Sequence, residues 1–444
     1  MTGKTVDGQT VREASGNVYL VHGNINVYCN TAIQYIDLNK VELIGDVKIY
    51  QDTLSLFAPK AIYYGNEGKA VCDNGVTLKD PVATVKANNG IYFFNESKAI
   101  FNGNVIVTNP TYKITSNKLT YLRNTEDSFA RENVVVTTDS AIIRAENIDF
   151  YKRQGKTYAF HNVTIESDSS IINSDTLTNY SFEKKSIAVS NVKLNNLRNN
   201  VLVYGDYLEN YEKTKYSFLR GNSKLVQVEN KTDTMFIYSK TMEAFRQTPE
   251  KYIAKDSVEI IRKDFLSRSR KGVYSKSLDT AFSSMQLTGE PIVWQDNLQI
   301  TSDSILAELK NKKIKTVYCI KLDSLVNSKI SFLIIQNKDT SISTRNDQVS
   351  GKDIIIHFDY DKINYVNVNK KSNSIYFMYE ENKPNGVNIA DGENMIISFD
   401  NEQKVYKVRI DKDPKGRYVP ENKIGNENLY LPGYNLRKDK PVKR

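Results

Sequence analysis

Histidine, cysteine and tryptophan are scarce in this 444-residue chain, with three His, three Cys and one Trp. Cys29, Cys72 and Cys319 fall at no C-x-x-C or zinc-ligand spacing, which excludes a zinc module and a disulfide framework. A single Cys29–Cys72 bridge stays open for an oxidising compartment. His22, His161 and His357 have no metal-binding partner at ligand spacing and no G-x-S-x-G nearby. The expectation is therefore no enzyme, no metal and no cofactor. Gly155-Lys156-Thr157 ends like a phosphate-binding loop, but the glycine required five positions earlier is Phe150. Ten Pro and 21 Gly exclude collagen-like and Pro-rich linker classes. No apolar run reaches the eighteen or so residues of a helical membrane span. The start, Met1 to Thr5, lacks an apolar h-region, so the chain reads as cytosolic or as a mature form.

What is present favours strands. Hydrophobic residues make up 40% and charged residues 25%, enough for a packed core. There are 28 Tyr and 17 Phe, and with Val, Ile and Thr they fit extended backbone. The net charge of +9 permits anionic partners. Basic and aromatic residues, as in Tyr151 to Arg153, do not interleave as a nucleic-acid platform, so no nucleic acid is expected.

The dominant signal is a repeat. Stepping by 29 from Val47 gives Val76, Val105, Val134, Val163 and Val192. Two residues on, the column reads Ile49, Leu78, Val107, Val136, Ile165 and Leu194. A third reads Leu56, Val85, Ile114, Ile143, Ile172 and Val201. A fourth reads Tyr63, Tyr92, Tyr121, Phe150 and Asn179. Before each valine stands a turn-prone residue: Asp46, Gly75, Asn104, Asn133, Asn162 or Asn191. The V-x-[IVL] alternation has period two, so each short strand has one apolar face. No segment shows a sustained helical period with caps.

The regular ladder spans 16–215, and a looser continuation spans 216–325 with Val226, Val258 and Ile292 carrying the theme. Residues 340–411 hold a different repeat: Gly351 to Phe358 and Gly392 to Phe399 lie 41 residues apart. Residues 327–341 read as an insertion around the apolar run Ile330 to Ile335, and 412–444 as a flexible basic tail.

One such unit cannot bury its apolar columns alone, whereas stacked units bury them continuously. An elongated, solenoid-like stack follows. Its interior is either a closed core or a groove between two facing sheets, and periodicity does not separate these. For any single residue, core packing alone explains an apolar side chain. An open trough would suit acyl chains. The residues that would line it are Val47, Ile49, Leu56, Val76, Leu78, Val85, Val105, Val107, Ile114, Val134, Val136, Ile143, Val163, Ile165 and Ile172. Carboxylates at Asp46, Asp52, Asp73 and Asp80 sit at turns rather than in one column, unlike a β-helical carbohydrate-active enzyme.

Gly23 to Ala32, Ile44 to Ile49 and the following G-x-V rungs with Tyr and Lys-x-Ala resemble OstA-like proteins, the LptA-related lipopolysaccharide-transport family, in a long form typical of Bacteroidetes. The resemblance covers about 16–310, and Gly386 to Tyr418 also resembles such chains. It implies an all-β jellyroll of two facing antiparallel sheets, often described as a β-taco. It further implies lipid A acyl chains in the interior, end-to-end stacking with related jellyroll domains or other copies, and a periplasmic bridge toward the outer membrane. The first rung, Asn17 to Val27, carries no Pro and is expected to pair with a partner strand. The alternatives are the periplasmic part of an LptD-type outer-membrane protein and a β-solenoid surface or carbohydrate-active protein.

Overall fold

Alternating Val, Ile and Tyr build long antiparallel strands, but these strands do not run straight. In the computed structural model, residues 2–6, 9–198, 200–230, 233–263, 265–279, 281–337, 345–360, 362–380, 383–425 and 427–444 are described. Two three-residue 3-10 turns are the only helical segments among them. The chain divides into two units, Met1–Arg198 and Asn199–Arg444.

In the first unit the strands form a meander of antiparallel neighbours, in which Lys69–Cys72 with Val76–Lys79, and Thr84–Ala87 with Asn89–Phe93, each divide one rung into two short strands. Lys98–Asn109, Tyr112–Leu122, Asp127–Thr138, Ile142–Tyr151, Lys156–Ser167 and Ser170–Tyr180 are successive neighbours. Midway along every second strand the backbone takes two consecutive left-handed residues. They are Gly16-Asn17, Gly45-Asp46, Asn74-Gly75, Gly103-Asn104, Glu132-Asn133, His161-Asn162 and Ser190-Asn191. The register records the consequence: Asn102 faces Lys118 and Val105 faces Ser116, leaving Gly103 and Asn104 opposite Asn117 alone. Two residues against one is a bulge, and it bends the strand sharply. The turn-prone residue before each valine is therefore a corner rather than a hairpin turn: it lies within a strand at five of the six positions, and at Gly75 between the short strands Lys69–Cys72 and Val76–Lys79. The bend gives each strand two arms, and the two sets of arms form facing sheets. This is the expected jellyroll.

The inner faces are read directly from the register. One ladder runs Leu20, Val27, Ile49, Leu56, Leu78, Val85, Val107, Ile114, Val136, Ile143, Ile165, Ile172 and Leu194. On the facing arms Phe101, Leu119, Ala130, Ile148, Ala159, Leu177 and Ala188 pair in sequence, all buried. From Leu119 to Ala188 large residues alternate with alanine, so neighbouring side chains interdigitate.

The second unit uses the same plan with broken strands. Phe265–Lys276 pairs with Phe282–Thr288 along one arm and with Ile292–Gln295 along the other. The two branches rejoin at Lys362–Glu380, which pairs with both Asp353–Asp359 and Asn346–Gly351. Ile330 to Ile335 is consequently no insertion. Ser331–Gln336 is a strand between Leu298–Thr301 and Asn346–Gly351, with Leu333 in the main core and Phe332 and Ile334 in a second one.

The C-terminal segment is not a loose arm either. Lys415–Pro420 pairs with residues Gly386 to Asp391. Beyond it, Ile424 and Leu431 are buried against Phe332, Ile334, Ile375 and Phe377. Two glutamine amides hold the passing backbone as a neighbouring strand would. Gln348 donates to the Leu429 carbonyl at 2.8 Å and accepts from the Leu431 amide at 2.9 Å. Gln299 does the same for Asn435 and Arg437, at 2.7 Å each. The tail's basic composition concealed its apolar anchors.

The carboxyl of Asp347 lies deep beside this segment. It accepts from the Phe377 amide at 2.9 Å, with the Asn337 amide at 3.4 Å. Burial pushes its pKa up to about 7, against about 3.9 in an unfolded chain. The folded state thus binds the extra proton, and stability is expected to fall as pH rises from about 4 to 7. Urea unfolding at pH 5 and pH 8 checks this, and Asp347→Asn should flatten that part of the profile. The corner makes a second prediction. Gly103 has φ +77°, and a Cβ there would lie 2.8 Å from Asn88 Nδ2. Gly103→Val is expected to lower stability by about 1–3 kcal/mol, while Asn104→Gly should change it little; urea midpoints of the two variants separate these outcomes.

Candidate functional site

The inner ladder is the candidate site. Of the fifteen proposed lining residues, twelve are buried: Val47, Ile49, Leu56, Val76, Leu78, Val85, Val105, Val107, Ile114, Val134, Val136 and Val163. Ile143, Ile165 and Ile172 are only half-buried, and so is Leu194 beside them. These four are cross-strand neighbours in one continuous row. The same column is therefore a dry core in its early rungs and an accessible apolar wall in its later ones.

The cause lies across the mouth of the fold, where the tips of the facing arms meet. Tyr63 Oη and His22 Nδ1 share a hydrogen bond of 2.5 Å. Tyr92 Oη reaches Gln51 Oε1 at 3.5 Å. Tyr121 Oη donates to Asp80 Oδ2 at 2.7 Å. Both series step by 29: 63, 92, 121 on one arm and 22, 51, 80 on the other. They form a row of latches. Asp80 is itself held, its other oxygen accepting from the Val82 and Ala83 amides at 2.8 and 2.7 Å. Burial, and then the Asp80 hydrogen bond, raise the Tyr121 phenol well above the usual tyrosine range, so it stays protonated as a donor.

The row then ends. The next tyrosine position is Phe150, which has no hydroxyl. The residue 29 beyond Asp80 is Asn109, which donates to Val82 O of the neighbouring turn at 2.8 Å and accepts from the Thr111 amide of its own turn at 3.0 Å. One rung further, Asn179 accepts from Ser186 at 3.0 Å and Thr138 donates to Ala141 O at 3.0 Å. Polar tips that bonded across the mouth now bond along their own arms. Accessibility at Ile143, Ile165 and Ile172 begins where the latches stop.

The fourth column reads in sequence as aromatic packing, while its hydroxyl function and its partners His22, Gln51 and Asp80 escape notice. The available signal was the matching 29-residue step of those three polar residues. Cys29, Cys72 and Cys319 are free, buried thiols, the latter two pushed up to about 12 by burial. Among the described residues no group of three or more His, Cys, Asp or Glu is placed to hold a metal ion.

Two family models match within this first unit. Residues 2–89 match the family model described as OstA-like protein. Residues 50–168 match the one described as lipopolysaccharide-assembly, LptC-related. Together the two matches span residues 2–168, within the stretch whose motifs resemble OstA-like proteins. A solved structure of LptH, the LptA-homologous periplasmic component of the lipopolysaccharide transport device of Pseudomonas aeruginosa, is 14% identical. That match covers 22% of this chain and 76% of LptH, with a TM-score of 0.21. No curated protein matches in sequence.

Tyr121→Phe removes one latch and leaves Asp80 Oδ2 short of its donor. The expected loss is about 1 kcal/mol, read from urea unfolding, with faster amide exchange at the adjoining strand tips.

Proposed function

We propose that this protein is a non-enzymatic lipopolysaccharide-binding component of an envelope transport line, working in the periplasm and holding lipid A acyl chains between its two sheets. The observation that carries the reading is the unlatched stretch, where the apolar row of Ile143, Ile165, Ile172 and Leu194 becomes accessible from outside. The matches to the OstA-like and LptC-related families support the choice of lipid. The lining narrows accordingly. The early columns, from Val47 to Val136, act as a packed spine, and acyl chains lie against the later rungs. An acyl chain gains about 0.8 kcal/mol for each methylene it buries, so a short contact with this wall is already worth several kcal/mol.

Association is proposed at the first rung. Among the described residues, Val18 to His22 pair on one side only, with Ile25 to Cys29, whereas Gln9 to Glu13 are covered by Thr2–Val6. A free strand edge of this kind accepts a further strand. The partner is another jellyroll domain of the same transport line or a second copy.

A photo-crosslinking residue placed at Ile172 or Ile165, in protein purified from a lipopolysaccharide-producing host, is expected to capture lipid A, identified by mass spectrometry. The same residue at Leu78 should capture none. Equal labelling at both positions, or at neither, would overturn the assignment.

A further inference from the structure

A second site lies on the outside of the first unit, and we infer that it binds a saccharide through a platform of tyrosine rings. It is independent of the interior and goes beyond the acyl-chain reading. Beside the first corners is an open cavity of about 780 Å³, floored by Tyr19, Tyr28 and Tyr50. Tyr19 and Tyr28 stack with ring centroids 4.8 Å apart. Tyr50 meets Tyr28 edge-on at 5.9 Å. The first two remain 53% and 44% exposed.

Their clustering is not a product of the repeat. The outward row that starts Tyr19, Tyr28, Lys48, Phe57 continues as Thr77, Lys86, Ile106, Thr115, Val135 and Arg144. Aromatic rings occupy this row only in the first rungs, where the cavity is. Exposed clusters of large rings mark binding surfaces.

The rim identifies the ligand class. Asn17, Asn26, Asn30, Asp46 and Lys48 surround the rings. Tyr19 Oη donates to Asn26 Oδ1 at 2.8 Å, which orients that amide, and Lys48 pairs with Asp46 at 2.7 Å. A pyranose presents a face of weakly positive C–H bonds and an equatorial rim of hydroxyls that both donate and accept. The C–H face packs on the negative face of a phenol ring. The hydroxyls then meet amides, a carboxylate and an ammonium, which together supply both donors and acceptors. An acyl chain or an apolar peptide would strip water from these amides and from the Asp46–Lys48 pair without offering them a hydrogen bond, a cost that disfavours it. The volume falls within the range of about 300–1,000 Å³ usual for small-ligand sites, enough for an oligosaccharide of a few units.

The test is calorimetric titration of the full chain with three lipid-free probes: the carbohydrate released from lipopolysaccharide by complete deacylation, chitohexaose and maltoheptaose. At least one is expected to bind, with Tyr28→Ala weakening it tenfold or more and Tyr28→Phe preserving it. Should Tyr28→Ala fail to fold, Tyr19→Ala, at an exposed position, reads the same loss. No binding by any probe at millimolar concentration would overturn the inference. So would binding unchanged by Tyr19→Ala, or platform variants that alter only self-association. Lipid crosslinking at Ile172 proceeds regardless of these outcomes, so the two readings fail separately.

Discussion

Everything in the first unit depends on a backbone constraint: two adjacent residues held in the left-handed region once every 29 positions. L-residues enter that region at a cost of roughly 1–2 kcal/mol each, which glycine avoids and asparagine and aspartate reduce by local hydrogen bonding. Hence Gly45-Asp46 and Gly103-Asn104 at the early corners. Later corners spend less suitable residues, such as Glu132 and His161, and recover part of the cost from the strand alongside. Asn191 donates to Asp175 at 2.8 Å, and in the second unit Asn222 donates to Asp206 at 2.9 Å. Without the corners the strands would be straight and the sheet would have one apolar face open to water. With them, the same strands supply both walls of their own interior.

Whether that interior is a core or a groove is decided by small polar contacts at its mouth. The apolar ladder barely changes in character from Ile49 to Ile172. What changes is the tyrosine facing it, from Tyr63, Tyr92 and Tyr121 to Phe150 and Asn179. A net hydrogen bond is worth only about 1 kcal/mol, yet three in a row at the tips of the arms hold the sheets where their side chains interlock. Past them, Thr138 bonds within its own turn, and Asn109 bonds within its own turn and to the neighbouring turn at Val82 rather than across the mouth. The two walls then have no reason to close, and the apolar row of Ile143, Ile165 and Ile172 stays half-buried.

The second unit keeps the corners, as at Gly221-Asn222 and Asp256-Ser257, but after Phe265–Lys276 it gives up continuous strands. Its arms become separate short strands such as Ile292–Gln295 and Leu298–Thr301. Both faces of one arm are apolar here, because Leu333 points one way and Phe332 and Ile334 the other. The outer face must be covered, and the C-terminal segment covers it. Gln299 and Gln348 each offer an amide that is donor and acceptor at once. They bind a crossing chain through its backbone, so the segment needs only its scattered Ile424, Leu431, Tyr434 and Leu436 to seat itself.

The sequence by itself determined the all-β class, the 29-residue rung and the inward face of the valines, because those follow from local alternation and from repetition. Val47, Val76, Val105, Val134, Val163 and Val192 are all buried, as a shared register requires. It did not show that Asp46 and its relatives are bends within a strand, since a left-handed pair has the same composition in a turn and in a bulge. Nor did it show that Ile330 to Ile335 is a paired strand, that Lys415–Pro420 is another or that Ile424 and Leu431 are buried, because each depends on partners far away in the chain. The division of one uniform column into closed spine and open wall was decided by tertiary structure alone. It rests on hydrogen bonds between residues 41 apart, Tyr63 with His22 and Tyr121 with Asp80, which exist only once the two arms have been folded face to face.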